Sequence, residues 1–490
     1  MSPDRQVYLL DPQCLKPEVI AVAFAKTSRS PESFREIAAQ LTDEKSAEFH
    51  EKWVVGYGHS SVAEHAILHV AVEGLSRLAV ETLESNRLAS YTEKSTRYQK
   101  WGQDDFYSPP ELENHILLPR YQQTVRQLFS TYHQVMPAVR DAIASENPPQ
   151  PGESEGAYAR RIRSDGNDVC RFLLPAASLA NVGMTINARA LEHAIRKMLS
   201  HPLAEVRQLG LEIKQVAQAE VPTLVKYADA VPYLLQAQQE LCEAAASLPT
   251  TGFEALPSTE CEALPLGDAA SSDWCQFIHS DPQGELHAMA AALFRFNGMG
   301  YVQALAHVEA LPAEGRRRLA LILLGAAGEF DIPIRELEHT SFTFEVTLDQ
   351  GAFNELKRHR MMTQTPQALT TRLGYTIPRA ITAAGVEPIY CQAIDQAGEV
   401  FEQIAAFNPA VASYIVPNAC NRRVLLTFNL RSADHFVSLR SAASAHFSIR
   451  RIAQRIAGQI RTAAPFLGAH LHVNPNETWQ EIEKRYFTKA

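Results

Sequence analysis

Three stretches of the 490-residue chain gather side chains that could bind or transform an anionic ligand. SNRLASYTEKSTRY (85–98) packs Arg87, Ser90, Glu93, Ser95, Arg97 and Tyr98 into one polar segment. It offers guanidinium groups for phosphate, hydroxyls for hydrogen bonds and one carboxylate acceptor. Composition alone also fits a solvated turn. Arg358-His359-Arg360 is a compact basic tripeptide, and such triplets at a helix end often only complement the helix dipole. From Arg422 to Arg461 stand eight arginines (422, 423, 431, 440, 450, 451, 455 and 461), no lysine, and Asp434 as the one acid. The planar arginine fork suits phosphate or a carbonyl edge. A subunit interface could use the same residues.

Other chemistries are excluded. The chain has no GxSxG elbow, Walker loop, GxGxxG or HExxH. Its seven cysteines are scattered at 14, 170, 242, 261, 275, 391 and 420, with no CxxC and no short-spaced Cys/His set for zinc, so no metal site is expected. They read as reduced thiols that fill the core. The net charge is −9, which argues against nucleic acid or an anionic membrane as partner and makes any phosphate site a local feature. The first residues show no basic-then-apolar leader, and no apolar run reaches the ~20 residues of a membrane span. A cytoplasmic protein is the expectation.

The elements that must position these residues occur twice. EHAILHVAVEGLSRLAVETLESNR (64–87) parallels EHTSFTFEVTLDQGAFNELKRHR (338–360), at an offset of 274 residues at the start and 273 at the end. LLPAASLANVGMTINARALEHAIRKML (173–199) parallels IVPNACNRRVLLTFNLRSADHFVSLR (415–440), with Asn187 and Asn429 now 242 apart. The first copy therefore carries extra residues between its blocks, among them the surface-loop composition ENPPQPGESEG (146–156). A Pro-, Ser-, Thr- and Gly-rich stretch separates the copies, giving domains at 1–245 and 272–490 with a linker at 246–271. HAILHVAVEG and HTSFTFEVTL alternate as strands do. SRLAVETLESNR, ALEHAIRKML and SIRRIAQRIAGQIRTAAPFL have helical spacing. The fold class expected is α+β: two homologous domains, each a small sheet with several long helices.

GHSSVAEH (58–65), SNRLASYTEKSTRY (85–98) and NARAL (187–191), with Arg358-His359-Arg360 and VPNACNRRVLLTFNLRSADHFVSLRS (416–441), together resemble the flavin-dependent thymidylate synthases. That family's hallmark is Arg-His-Arg followed by Ser, Glu, Ser and Arg-Tyr at fixed spacing. Each copy departs from it in a complementary way. Copy one has Ser85-Asn86-Arg87 in place of the basic tripeptide but keeps Ser90, Glu93, Ser95, Arg97 and Tyr98. Copy two keeps the tripeptide and lacks the acidic series. A family arginine eleven residues beyond the NAR asparagine is Arg440 in copy two and Met198 in copy one. A family nucleotide-binding arginine is Arg171 in copy one and Ser413 in copy two. His59 of copy one becomes Pro333. A family glutamine three residues before the tripeptide is Glu355.

The resemblance implies reductive methylation of dUMP to dTMP with FAD, NADPH and 5,10-methylenetetrahydrofolate, at a composite site to which both repeats contribute. No cysteine nucleophile is required, in keeping with the absent Pro-Cys-His. Arg440 and Ser95 would be catalytic. His59, Ser61, Glu93, Asn187, Arg189, His193, Arg358, His359, Arg360, Asn429, Arg431 and His435 would hold the cofactor. Glu93, Ser95, Thr96, Arg97, Tyr98, Arg171, Glu355, Arg358 and Arg440 would hold the nucleotide. Because family members are tetramers, a homodimer of this chain would form a pseudo-tetramer. Two alternatives stay open: C5 alkylation of another pyrimidine nucleotide, and a non-catalytic flavin- or nucleotide-binding relative.

Overall fold

The computed structural model describes residues 8, 10, 15–28, 30–97, 99, 101–247, 273–328 and 331–488. From residue 248 onward the expected linker lies outside them, as do Tyr98, Cys14 and Cys261. The chain forms two compact units, residues 1–95, 106–116 and 177–254, and residues 96–105, 117–176 and 255–490. Repeat boundaries mark sequence similarity and unit boundaries mark packing, and the two do not coincide. The helices Leu118–Glu146 and Glu155–Cys170 of the first repeat pack within the second unit.

The first unit is built on a three-stranded antiparallel sheet in the order β1-β3-β2, with β1 Ile67–Ser76, β2 Ala89–Glu93 and β3 Leu179–Asn187. Ala180, Val182, Met184 and Ile186 point into the core, while Asn181 and Gly183 face out, the period-two pattern of a half-buried strand. A helix follows β1 (Arg77–Glu84) and another follows β3 (Ala188–Leu199). Each starts on a side-chain cap: Ser76 accepts from the Ala79 N–H and Asn187 from the Ala190 N–H.

The second unit repeats this design and extends it. Its sheet runs β4-β5-β7-β6, with β4 Cys275–Ser280, β5 Phe342–Asp349, β6 Thr363–Pro366 and β7 Asn421–Phe428. The register is shared as well: Leu68 faces Ile186, and the aligned Phe342 faces Phe428. Asp349 caps Gln350–Leu356 and Asn429 caps Leu430–Ser441. Phe344 and Phe428 stack at 5.5 Å in a core closed by Phe436, Ile449, Ile452 and Ile456. The α+β expectation holds in both units. Among the described residues no helix is long and apolar enough to cross a membrane. Cys170, Cys275, Cys391 and Cys420 are buried, and Cys242 is exposed.

The arginine-rich run is mainly architecture. The Arg451 guanidinium lies 4.3 Å from the Trp274 ring and 4.2 Å from Phe487, and Arg455 lies 4.6 Å from Trp479. Arg450 pairs with Glu477 at 3.0 Å, Arg423 with Glu345 at 3.3 Å, and Arg422 stands over Phe353 at 4.4 Å. Arg461 donates to the Leu471 carbonyl. These cations tie the C-terminal Trp479–Tyr486 helix to the core and join the adjacent strands β5 and β7 by cation–π and ion-pair contacts. Neither a phosphate face nor a subunit interface is needed to explain them. Arg431 is likewise held, by Glu338 and the Pro333 carbonyl, and Arg440 is the one whose partners are the site residues Glu355 and His359.

Candidate functional site

The site grows from the C-terminal ends of three helices. The last turn of Gln350–Leu356 carries Glu355, and Arg358-His359-Arg360 follows directly before β6. The last turn of Leu430–Ser441 carries Arg440. Arg171 stands where Glu155–Cys170 ends, its carbonyl held by the Asn418 side-chain amide at 3.1 Å. All lie within the second unit, although Arg171 belongs to the first repeat.

There they meet. Arg440 donates through Nε to His359 Nε2 at 2.8 Å and through Nη1 to Glu355 Oε2 at 3.0 Å. Arg171 donates through Nη2 to Glu355 Oε1 at 3.4 Å. Glu355 thus bridges two guanidinium groups that come from different repeats. His359 is 7% exposed. Burial, with Arg440, His435 and Arg358 nearby, drives its pKa well below the usual imidazole range. The ring is therefore neutral, and accepting at Nε2 leaves its proton on Nδ1. Phe436 packs edge-on against it at 5.0 Å, and Gln364 holds its carbonyl at 2.9 Å. Burial also lowers the Arg440 pKa, an effect the Glu355 charge opposes.

The aligned place in the first unit differs. Thr82, Asn86 and Met198 replace Glu355, His359 and Arg440. Lys197 instead reaches Ser85 Oγ at 2.6 Å and Asn86 Oδ1 at 2.9 Å, with its pKa lowered to about 8 by burial. Among the described residues no carboxylate bridges two cations there.

Several of the other expected residues are engaged by the fold. Glu93 is committed to Arg77 at 2.7 Å, in an ion pair whose side chains are 2% and 5% exposed. Asn187 and Asn429 spend their side chains on helix caps. Arg189 pairs with Glu64, and Arg431 with Glu338 at 2.6 Å, the same pair in both repeats. Arg97 is clamped by Asp168 through Nε at 2.7 Å and Nη2 at 2.6 Å, and donates to the Ser444 carbonyl at 3.0 Å. Thr96 is buried beside it in sequence, and Ser95 is half-buried at the end of the first unit. Ser61 and His193 are exposed in the first unit, and His59 lies against Trp53. Arg358 and His435 are exposed and Arg360 half-buried in the second.

Sequence reasoning missed Asp168, Gln364 and His446. The only signal for Asp168 is its place one helical turn before Arg171. His446 is buried, hydrogen-bonded to the Asp168 carbonyl at 3.1 Å, and kept far below the usual pKa by burial and by Arg171.

A pH dependence follows from His359 and His446. In the unfolded chain each takes up a proton below about pH 6.5, and in the folded chain each does so only at much lower pH. The unfolded state then binds more protons, so stability falls as the pH falls. The expected slope is about 1.4 kcal/mol per pH unit for each ring once below the unfolded pKa. Denaturant unfolding from about pH 7 to about pH 5 measures it. A stability that stays level across that window would contradict the neutral-imidazole assignment.

Two helix-capped antiparallel sheets that share a three-strand core order and register, with an Arg–Glu–Arg–His cluster in the second unit, define an α+β protein of repeated design. A family model described as "Thymidylate synthase complementing protein" matches residues 10–223 and 334–466. The UPF0159 protein of Chlamydia muridarum is 31% identical over 439 residues, spanning 86% of this chain and 80% of its own. The UPF0159 protein Ta1429 of Thermoplasma acidophilum is 26% identical over 460 residues, spanning 86% and 88%. The flavin-dependent thymidylate synthase of Clostridium tetani is 30% identical over 212 residues, 43% of this chain and 82% of its own, a match the size of one repeat. The chain belongs to the thymidylate synthase complementing protein family, as a fused and diverged pair of its domains.

Proposed function

We propose that the chain methylates dUMP to dTMP reductively, with FAD, 5,10-methylenetetrahydrofolate and NADPH, at one site to which both repeats contribute. The observation that carries this reading is the cluster of Arg171 from the first repeat with Glu355, His359 and Arg440 from the second. Neither repeat holds the set alone.

The donor set suits these ligands. Arg358, Arg360 and His435 offer two guanidinium groups and an imidazole for a diphosphate. Among the described residues Arg171 Nε is buried with no hydrogen-bond partner, a donor available to an anionic or carbonyl oxygen. Bound flavin supplies the hydride chemistry that no side chain can. The protein's part is to hold and polarise. Arg440, fixed in plane by His359, directs its remaining N–H groups at the O2/N3 edge of the pyrimidine, where negative charge develops. Thr96 and Arg97, in the same unit as Arg171, serve the phosphate end of the nucleotide. The active species is a homodimer.

Glu355 favours a second reading, alkylation of a different pyrimidine nucleotide, because a carboxylate changes what the pocket accepts. Freshly purified protein separates flavin from non-flavin readings. Yellow protein with about one FAD per chain, forming dTMP from dUMP, is the expected result. Colourless protein that takes up no added FAD would remove both flavin readings.

A further inference from the structure

We propose that Glu355 is a built-in counter-anion that sets how strongly the site holds a charged nucleotide. This rests on the nucleotide reading above and extends it to the regulation of affinity at that site.

Glu355 is 13% exposed and accepts from Arg440 and Arg171 at once. A bridge that served only to join two elements would gain little from charge, since burying ions costs most of what their attraction returns. An amide or an apolar contact would join the same elements as well. The cluster is also not self-neutral. Arg171, Arg440 and the neighbouring Arg358 bring three positive charges, Glu355 and the buried Asp349 near Arg171 bring at most two negative charges, and His359 is held neutral. A buried excess of positive charge, with Arg171 Nε lacking a partner, points to an anion still to come.

With Arg440 on the pyrimidine edge, the phosphate is the part that approaches Arg171, and there it meets the Glu355 carboxylate already on that guanidinium group. Each negative charge of the ligand is repelled by it across a few ångströms of low-dielectric surroundings. The carboxylate subtracts from affinity in proportion to ligand charge, and a neutral ligand escapes that penalty. Glutamine at 355 keeps the shape and one accepting oxygen and removes the charge.

The test compares full-length wild-type and Glu355→Gln protein by isothermal titration calorimetry with two ligands. One is dUMP; the other is deoxyuridine, the same base and sugar without the phosphate. The expected result is a dUMP affinity raised at least ~10-fold and a deoxyuridine affinity changed less than ~3-fold. Glu355→Ala removes the charge without supplying an amide and is expected to shift dUMP in the same direction, so the test survives if one variant folds poorly. Equal changes for both ligands, or weaker dUMP binding in the variants, would show that Glu355 is a bracket for the arginines and overturn the proposal. Wild-type protein that binds FAD and neither pyrimidine would instead sink the nucleotide reading, and this inference with it.

Discussion

Replacing Arg440 with alanine is expected to lower dTMP formation by about 10²–10³-fold while the flavin stays bound, the range seen when one preorganised donor to a developing charge is lost. Arg440 is half-buried, and its orientation is set from two sides by His359 at 2.8 Å and Glu355 at 3.0 Å. A guanidinium held in this way loses little entropy in meeting the pyrimidine edge, which is the physical content of preorganisation. Lysine at 440 keeps the charge but cannot bond His359, Glu355 and ligand in one plane, so it should restore only a small part of the activity. Flavin absorbance and the unfolding midpoint distinguish this outcome from collapse of the site. Near-normal turnover in Arg440→Ala would remove the residue from the mechanism. In the first unit Met198→Arg is expected to create no second site, because Thr82 and Asn86 offer it neither the carboxylate nor the imidazole.

What could be read from the residues, and what could not, follows from how local each signal is. Strands β1 and β5 announce themselves by alternation, and their pairing with β3 and β7 follows from the repeat. The asparagines at 187 and 429 stand immediately before helices, and the capping geometry they adopt is a local signal of that kind. The family resemblance reads them as cofactor contacts; in the fold their side chains cap the helices that follow. The arginine run misled for the opposite reason. Arg451 meets Trp274 and Phe487, partners far away in sequence, and composition cannot show that a cation is already stacked on a ring. Asp168 was invisible because one acid on a charged helix carries no pattern until Arg97 folds onto it. The two compact units were hidden similarly. Nothing periodic in residues 118–170 says that these helices pack in the unit that carries the second repeat's sheet.

Arg171 of one repeat and Arg440 of the other are proposed to act on the same ligand within one chain. The arrangement is direct, since both reach Glu355. Tethering the repeats raises the local concentration of each for the other and removes the need to borrow residues from a second chain. The most direct measurement uses two inactive proteins, Arg171→Ala and Arg440→Ala, co-expressed or mixed under conditions that exchange subunits. If the site lies within one chain, every chain stays broken and dTMP formation does not recover. If the site were shared between chains, mixed dimers would hold one intact site each, and roughly a quarter of wild-type activity would return at equal mixing. No recovery is the predicted result; recovery toward that fraction would contradict the single-chain site.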